Sequence, residues 1–395
     1  MTIRKPLPPA NASWPRRGVR VGACLMLAAG GCEPQSPEVG TLAGAAADLA
    51  VDTVTVVHSD LFFRIRSVRQ IADGGLAVMN RGSRSLLLLD SRGDPAGTIG
   101  RLGEGPGDFL SVTDLDTKGD SILVLDAFAR RVQLFHRASL VDTWSLREIT
   151  GTLAQVTFSP DGAPVVSATR ESPYPDPEDA MKVLREPVEL YRIDDPATEI
   201  EIPVEIPGDE YFVVFVAARG GWRYGVPAFG AGATYDLTGT GVVAADARSG
   251  RVVSFPWGGQ AVRTLRPSSP PEAMSEHQLD RLWASADTVA RRLPDRDDYM
   301  TYVREAVEVW GESVPRPYYS AVISDGSETL LRHFTSGPAD LSEWSLLAED
   351  GELLGTFSLD RDTQLFSLQN REILGVGKDS LDVEHVIVGR IRGPF

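Results

Sequence analysis

The feature that most constrains this fold is a short apolar run, ending in turn residues, that recurs along the chain. The clearest copies are LLLLD (86–90), VQLFH (132–136), LYRID (190–194), VVSFP (252–256), WSLLA (344–348) and VIVGR (386–390). Their ends lie 42 to 92 residues apart, and the shortest spacings match the roughly 40–50 residues of a four-stranded propeller blade. With 38 glycines and 27 prolines to form turns, the chain is predicted to be all-β, a six-bladed β-propeller over residues 51–395.

Each run has the neighbours that a blade requires. In the first unit, residues 64–72 alternate as a strand does, 76–80 form a second strand and 86–90 a third, before a turn leads into 96–100. Residues 51–57 are a lone strand ahead of this unit. We expect them to supply the fourth strand of the last blade and so to close the ring, which removes exposed sheet edges.

One segment, residues 270–312, has helical rather than strand periodicity. Ser275 and Gln278 fit a capping box at the start of a helix, and a second helical stretch runs from about 295 to 310. The segment accounts for the longest spacing and is predicted to be a small helical insertion between blades 4 and 5. Two roles stay open: a lid packed over one end or flank of the ring, or an element that docks a partner or gates a pocket.

The N-terminus resembles a bacterial lipoprotein signal. A basic segment precedes an apolar stretch too short to span a bilayer, and the small residues Ala29-Gly30-Gly31 lead to Cys32 like a lipobox. The resemblance implies a signal peptide over residues 1–31 and a diacylglycerol on the Cys32 sulfur. A plain secretory signal and an uncleaved anchor are the alternatives.

Residues 32–50 behind the cysteine have the composition of a flexible tether. Glu33 stands where Asp is the familiar inner-membrane retention signal of Gram-negative lipoproteins. Its presence favours an exported protein anchored in the cell envelope, on the outer-membrane or periplasmic side rather than the inner membrane.

The net charge and the positions of the cysteines argue against several classes of protein. The formal net charge is −16, which repels phosphate backbones and argues against nucleic-acid binding. The two cysteines, Cys24 and Cys32, both lie near the N-terminus, so no disulfide or thiolate metal site holds the main fold together.

Two segments carry a family resemblance, GRLGEGPGDF (100–109) and LGVGKDSLDVEHVIVGRI (374–391). They resemble a bacterial family of secreted six-bladed β-propellers related to NHL-repeat proteins, which often carry a lipoprotein signal. The chain departs from that family at residues 328–332, where ETLLR replaces a Gly-x-Leu-Trp-Val strand. The resemblance implies a fold and a location, because most members of the family have no established activity.

Motifs for known chemistry are missing. The chain has no Gly-x-Ser-x-Gly elbow, no phosphate-binding Gly-Lys-Ser/Thr loop and no His-Glu-x-x-His helix. Asp114, Asp116 and Asp120 hint at a calcium loop, but Lys118 occupies a ligand position, so a blade turn is the preferred interpretation. The five histidines are scattered, although a propeller axis could bring His58, His333 and His385 together. We predict no catalytic residue, no cofactor and no metal site.

Aromatic residues in long connections are the candidate binding groups: Trp222, Arg223, Tyr224, Tyr318 and Tyr319. Exposed rings beside an arginine suit a peptide, sugar or hydrophobic ligand. The alternative is that the rings only cover a blade edge.

The sequence therefore predicts an exported, lipid-anchored binding module, with the membrane and an unknown protein or small ligand as its partners. The alternative is a metal-dependent propeller enzyme, lactonase-like or lyase-like, with its site in the axial channel.

Overall fold

The computed structural model describes residues 38–42, 47–57, 60–170, 180–194, 197–216, 221–259, 262–267, 273–292, 296–311, 313–335 and 341–393. These segments belong to one compact unit, Pro37–Phe395. The unit is built mainly of β-strands, as predicted. The signal peptide and Cys32 lie outside the described residues.

The described strands form six sheets, of which three have four strands, two have five and one has six, and all pairings are antiparallel except those of the first two strands in the chain. Three N-terminal strands contribute to later sheets: β1 (Glu38–Leu42), β2 (Ala47–Asp48) and β3 (Ala50–Val57). Sheet 1 contains β4 (Ile65–Gln70), β5 (Leu76–Asn80), β6 (Ser85–Leu89) and β7 (Pro95–Ile99). Sheet 2 contains β8 (Val112–Lys118), β9 (Ser121–Asp126), β10 (Arg131–His136) and β11 (Ser139–Ser145).

Sheet 3 is enlarged to six strands: β12 (Thr152–Phe158), β13 (Pro164–Thr169), β14 (Val183–Arg192), β15 (Thr198–Ile200), β16 (Ile206–Val216) and β17 (Gly221–Gly225). Sheet 4 contains β18 (Tyr235–Leu237), β19 (Gly241–Ala245), β20 (Val252–Pro256), β21 (Arg263–Pro267) and β1. Sheet 5 contains β22 (Tyr319–Ser324), β23 (Thr329–His333), β24 (Leu341–Leu347), β25 (Leu353–Asp360) and β2. Sheet 6 contains β26 (Gln364–Gln369), β27 (Glu372–Lys378), β28 (Glu384–Arg392) and β3.

The first strands of the sheets, here called the inner strands, contact one another in a cycle. The contacts run from β4 to β8, then to β12, β18, β22 and β26, and from β26 back to β4. The apolar core lies between successive sheets. Leu87 of sheet 1, for example, belongs to the same buried cluster as Val376 and Val386 of sheet 6. All five residues of β5 and of β6 are buried, which explains why these strands read as apolar runs rather than alternating ones.

The closing strand forms as the sequence predicts. β3 pairs antiparallel with β28, with Val57 opposite Val386, and so completes sheet 6. Val57 is only 7% exposed, whereas Val54 on the same strand is 57% exposed.

The segment predicted as a flexible tether requires a correction. β1 pairs in parallel with β21, and β2 pairs in parallel with β25, so the described residues of this segment contain two strands, at the outer edges of sheets 4 and 5, and the first residue of β3. The physical reason is that an outermost strand presents unpaired N–H and C=O groups to any extended segment beside it.

Two helices, α1 (Glu276–Ala290) and α2 (Arg296–Glu308), lie between β21 and β22 in the chain. Ser275 caps α1 and forms the predicted capping box with Gln278. α2 packs against the enlarged sheet 3, where the Tyr302 ring stacks on Phe212 at 6.2 Å. Neither helix of the described residues has the length and apolar character needed to cross a membrane.

Candidate functional site

The six inner strands surround a cavity of about 350 Å³, near the ends where these strands finish. We call it the axial cavity. Every sheet contributes to its wall, with representatives Arg69, Asp116, Thr157, Asp236, Ser324 and Phe366. Its mouth carries the exposed Ser327, Gln369 and Asn370. The wall is therefore largely polar, although the cores between the sheets are apolar.

Hydrogen bonds connect each sheet to the next around this cavity. The six links are Arg69 Nη1 to Phe366 O (2.6 Å), Thr117 Oγ1 to Gln70 O (2.7 Å), Val156 N to Asp114 Oδ2 (3.0 Å), Gln155 Nε2 to Tyr235 O (2.9 Å), Ser324 N to Asp236 Oδ2 (2.8 Å) and Asn370 N to Asp325 Oδ2 (3.1 Å). Many wall side chains thus have a structural role, since each link satisfies a polar group at a junction between two sheets.

Arg69 is the one basic residue in the described wall. Its Nη1 donates to Ser67 Oγ at 2.9 Å and to Val68 O at 3.2 Å, besides Phe366 O. Its Nη2 lies 3.9 Å from Asp114 Oδ1, with 19% of the Arg69 side chain and 15% of the Asp114 side chain exposed. The guanidinium is directed mainly to backbone oxygens, and its ion pair with Asp114 is long.

Asp116 is a wall carboxylate whose two oxygens both accept hydrogen bonds. It accepts hydrogen bonds from Thr117 N at 2.8 Å, from Thr157 Oγ1 at 2.9 Å and from Phe158 N at 2.9 Å. Donors from β8 and β12 therefore occupy both of its oxygens. We assign Asp116 to the junction between sheets 2 and 3 rather than to a ligand.

Asp114 and Asp236 differ from Asp116 in their electrostatics. Burial raises the pKa of Asp114 to about 6, against the opposing effects of Arg69 and the Val156 N–H. Burial also raises the pKa of Asp236 to about 7, with Arg69 and the Ser324 N–H acting in the opposite direction. Carboxyl groups that are costly to ionise and that line a cavity are typical of functional sites.

The predicted aromatic residues lie elsewhere. Trp222, Arg223 and Tyr224 belong to β17, which pairs with β16 of sheet 3. The Trp222 and Arg223 side chains lie outside what the structure describes. Tyr224 is 50% exposed, and its ring is 6.0 Å from that of Tyr211.

Tyr318 and Tyr319 lie at the start of sheet 5, away from β17 in the sheet order. Tyr318 is half-buried, and Tyr319 is 5% exposed and packs 5.9 Å from the His333 ring. Tyr319 was expected to expose its ring in a loop, and this expectation is corrected. Tyr319 is the first residue of β22, and its side chain faces the core between sheets 4 and 5.

The structure also relocates two residues weighed as a calcium loop. Asp114 and Asp116 lie within β8, not in a turn, and their side chains line the axial cavity. His58 lies outside the described residues. Within the described part of the chain, no group of three or more His, Cys, Asp or Glu side chains is placed to hold a metal ion.

Comparison with known proteins finds no matching family model and no matching curated protein. Among solved structures, a putative exported protein from Bacteroides fragilis aligns with TM-score 0.49 and 11% identity, covering 90% of this chain and 99% of that one. A member of the DUF4221 family from Bacteroides vulgatus aligns with TM-score 0.47 and 11% identity over 89% and 100% of the two chains. Virginiamycin B lyase from Staphylococcus aureus, with quinupristin, aligns with TM-score 0.45 and 8% identity over 88% and 100%. These similarities assign no activity to this chain.

Proposed function

We propose that this chain is an exported, lipid-anchored, six-bladed β-propeller that binds a small polar ligand in the axial cavity. The six sheets are its blades, β3 completes the last blade, and α1 and α2 form an insertion between blades 4 and 5. The cycle of contacts among the inner strands supports this arrangement. The NHL-like resemblance of residues 100–109 and 374–391 agrees with it.

The observation that carries the binding proposal is the axial cavity itself. Its volume of about 350 Å³ falls within the range of about 300–1,000 Å³ that small-molecule sites occupy. Asp114 and Asp236 contribute carboxyl groups whose raised pKa values show that their ionised forms lack full compensation within the protein. Each of them links two sheets through Oδ2, so a ligand would bind at the other oxygen, Oδ1.

The anchor of the proposed protein is Cys32. Because β1 begins at Glu38, only residues 33–37 separate this cysteine from sheet 4. Five extended residues span at most about 17 Å, so the lipid would hold the folded unit close to the membrane. Detergent phase partitioning of the wild type and of Cys32→Ser tests the anchor. We expect the wild type in the detergent phase and the variant in the aqueous phase; equal partitioning would exclude lipidation at Cys32.

A variant that obstructs the cavity mouth tests the binding site. Ser327 is exposed in the turn between β22 and β23 and lines the mouth, so Ser327→Trp fills the entrance without disturbing the core. Ser380→Trp is the matched control, because Ser380 is equally exposed but lies in the turn between β27 and β28 at the opposite end of its sheet.

The assay is thermal stabilisation by a panel of amino acids, amines and sugars, since a ligand that binds the folded state raises the melting temperature. We expect at least one compound to stabilise the wild type and Ser380→Trp but not Ser327→Trp. A panel without effect, or one that stabilises all three proteins equally, would contradict the proposal.

A further inference from the structure

We propose that the ligand of the axial cavity is an organic cation, whose ammonium or guanidinium group binds between Asp114 and Asp236. This inference rests on the proposed binding function and names the chemical class of the ligand. The wall of the cavity has more hydrogen-bond acceptors available to a ligand than donors.

The amide and hydroxyl donors of Gln155, Thr117 and Thr157 are already engaged. Arg69 donates to Ser67, Val68 and Phe366, in each case through Nη1. Gln155 donates through Nε2 to Tyr235 O and accepts from Leu237 N at 3.2 Å. The hydroxyl groups of Thr117 and Thr157 donate to Gln70 O and Asp116 Oδ2. An anionic or acceptor-rich ligand would therefore have to bind mainly through Arg69 Nη2, where the Asp114 carboxylate at 3.9 Å would repel it.

The acceptors are not all engaged. Asp236 Oδ2 accepts from Ser324 N, but no described residue donates a hydrogen bond to Asp236 Oδ1. Asp114 Oδ2 accepts from Val156 N, and the nearest basic nitrogen to Asp114 Oδ1 is Arg69 Nη2 at 3.9 Å, beyond hydrogen-bonding distance. A ligand ammonium or guanidinium carries only donors and supplies what these two oxygens lack.

The charge of the wall favours the same class of ligand. Asp114, Asp116, Asp236 and Asp325 face the cavity against the single guanidinium of Arg69. Asp116 and Asp325 have local donors, the latter from Ser327 and Glu328 backbone N–H groups at 2.8 Å each. The carboxyl groups with the fewest compensating donors are thus Asp114 and Asp236, and when they ionise beside a bound cation the low dielectric strengthens the attraction.

Cavity size selects an organic cation over a bare metal ion. A water molecule occupies about 30 Å³ of liquid, so a space of about 350 Å³ is an order of magnitude larger than one small ion requires. The charged group would occupy the space between Asp114 and Asp236, and the rest of the ligand would extend to the amide side chains of Gln369 and Asn370 at the mouth.

Binding of a cation should release protons. Burial keeps Asp114 and Asp236 partly protonated near neutral pH, with pKa values of about 6 and 7, and a bound cation lowers both values. The groups that face them are Arg69, Asp116, Asp325 and the Tyr235 hydroxyl, whose own pKa burial raises well above its usual range. Affinity should therefore rise between pH 5 and pH 8.

The test is isothermal titration of the purified full chain with L-arginine, agmatine, n-butylguanidine and n-butylurea, the last being nearly isosteric with n-butylguanidine but uncharged. We expect n-butylguanidine to bind about tenfold or more tightly than n-butylurea, because hydrogen bonds between charged partners are the stronger ones. Asp236→Asn should weaken cation binding by about tenfold or more, and Asp161→Asn, at an exposed turn, should leave it unchanged.

Other outcomes would overturn the inference. If n-butylurea binds as tightly as n-butylguanidine, or if Asp236→Asn binds arginine with unchanged affinity, the ligand is not selected by charge. Calcium chloride binding more tightly than any organic compound would assign the site to a metal ion. Neutral ligands that bind the wild type but not Ser327→Trp would support the proposed binding function and contradict only the inference that the ligand is a cation. If no compound in the wider panel binds, both the proposed binding function and the cation inference are contradicted.

Discussion

Replacing Asp236 by Asn should make the protein more stable at neutral and alkaline pH. The carboxyl has a pKa of about 7 in the folded state against 3.8 for the unperturbed group, because burial disfavours its charge. The folded state therefore holds this proton more tightly than the unfolded state. With this sign, the free energy of unfolding falls as pH rises from about 4 to about 7 and is level above that range.

The magnitude follows from the same two values. A tenfold change in proton affinity corresponds to about 1.4 kcal/mol, so ionising Asp236 in the folded protein costs on the order of 4 kcal/mol at pH 8. Solvent in the cavity screens part of this ionisation cost. We therefore expect Asp236→Asn to raise the free energy of unfolding by about 2–4 kcal/mol at pH 8. The asparagine keeps an oxygen that accepts from Ser324 N, so the link between sheets 4 and 5 survives.

Urea unfolding followed by tryptophan fluorescence, at pH 4 and pH 8, measures this difference. We expect the variant to match the wild type at pH 4, where the wild-type carboxyl is protonated, and to exceed it at pH 8. Asp161→Asn is the control of opposite sign, because hydrogen bonds from Arg192 lower the pKa of Asp161 and the wild type should be the more stable protein at pH 8. A variant at Asp236 that is less stable than the wild type at pH 8 would refute the account, because Asp236 would then be a compensated structural carboxylate.

Three further predictions concern the fold. Arg248→Met should lose about 3–5 kcal/mol in urea unfolding, because Glu210 is 3% exposed and would keep a buried charge without its partner; a loss below 1 kcal/mol would count against that ion pair. Val57→Asp should unfold the protein or lower its melting temperature strongly, whereas Val54→Asp on the exposed side of the same strand should change it little; equal effects would argue against β3 as the closing strand. Trp344→Ala should cost about 3–5 kcal/mol by calorimetry, because its side chain is 1% exposed in the core, and a cost under 1 kcal/mol would contradict that packing.

The strands of the sheets could be predicted from the sequence because they are buried on both faces. The run 86–90, for example, nearly coincides with β6 (Ser85–Leu89), all of whose residues are buried. The closing strand was also predictable, since residues 51–57 are rich in β-branched side chains and have no partner in the first unit. β1 was not predictable, because its strand conformation depends on the edge of β21 that it meets rather than on its own residues.

The axial cavity could not be predicted from any single segment of the sequence. Asp114 and Asp236 belong to different sheets, and only the arrangement of the inner strands brings both to one wall. Asp114 and Asp116 flank Leu115 in β8 as the solvent-facing positions of an alternating pattern would, and Asp236 is a single aspartate in the short β18. A usable signal was present all the same: Arg69, Asp114 and Asp236 all fall in the first strand of a unit, the strand that a propeller places at its axis.

Hydrogen–deuterium exchange with and without saturating L-arginine tests the central claim most directly, because it locates the binding site without a substitution. Binding in the axial cavity should protect the ends of the inner strands and their following turns, in peptides covering residues 66–70, 114–118, 236–240 and 324–327. Protection confined to β17 or to residues 318–319, where the aromatic candidates lie, or no protection in any peptide, would contradict it.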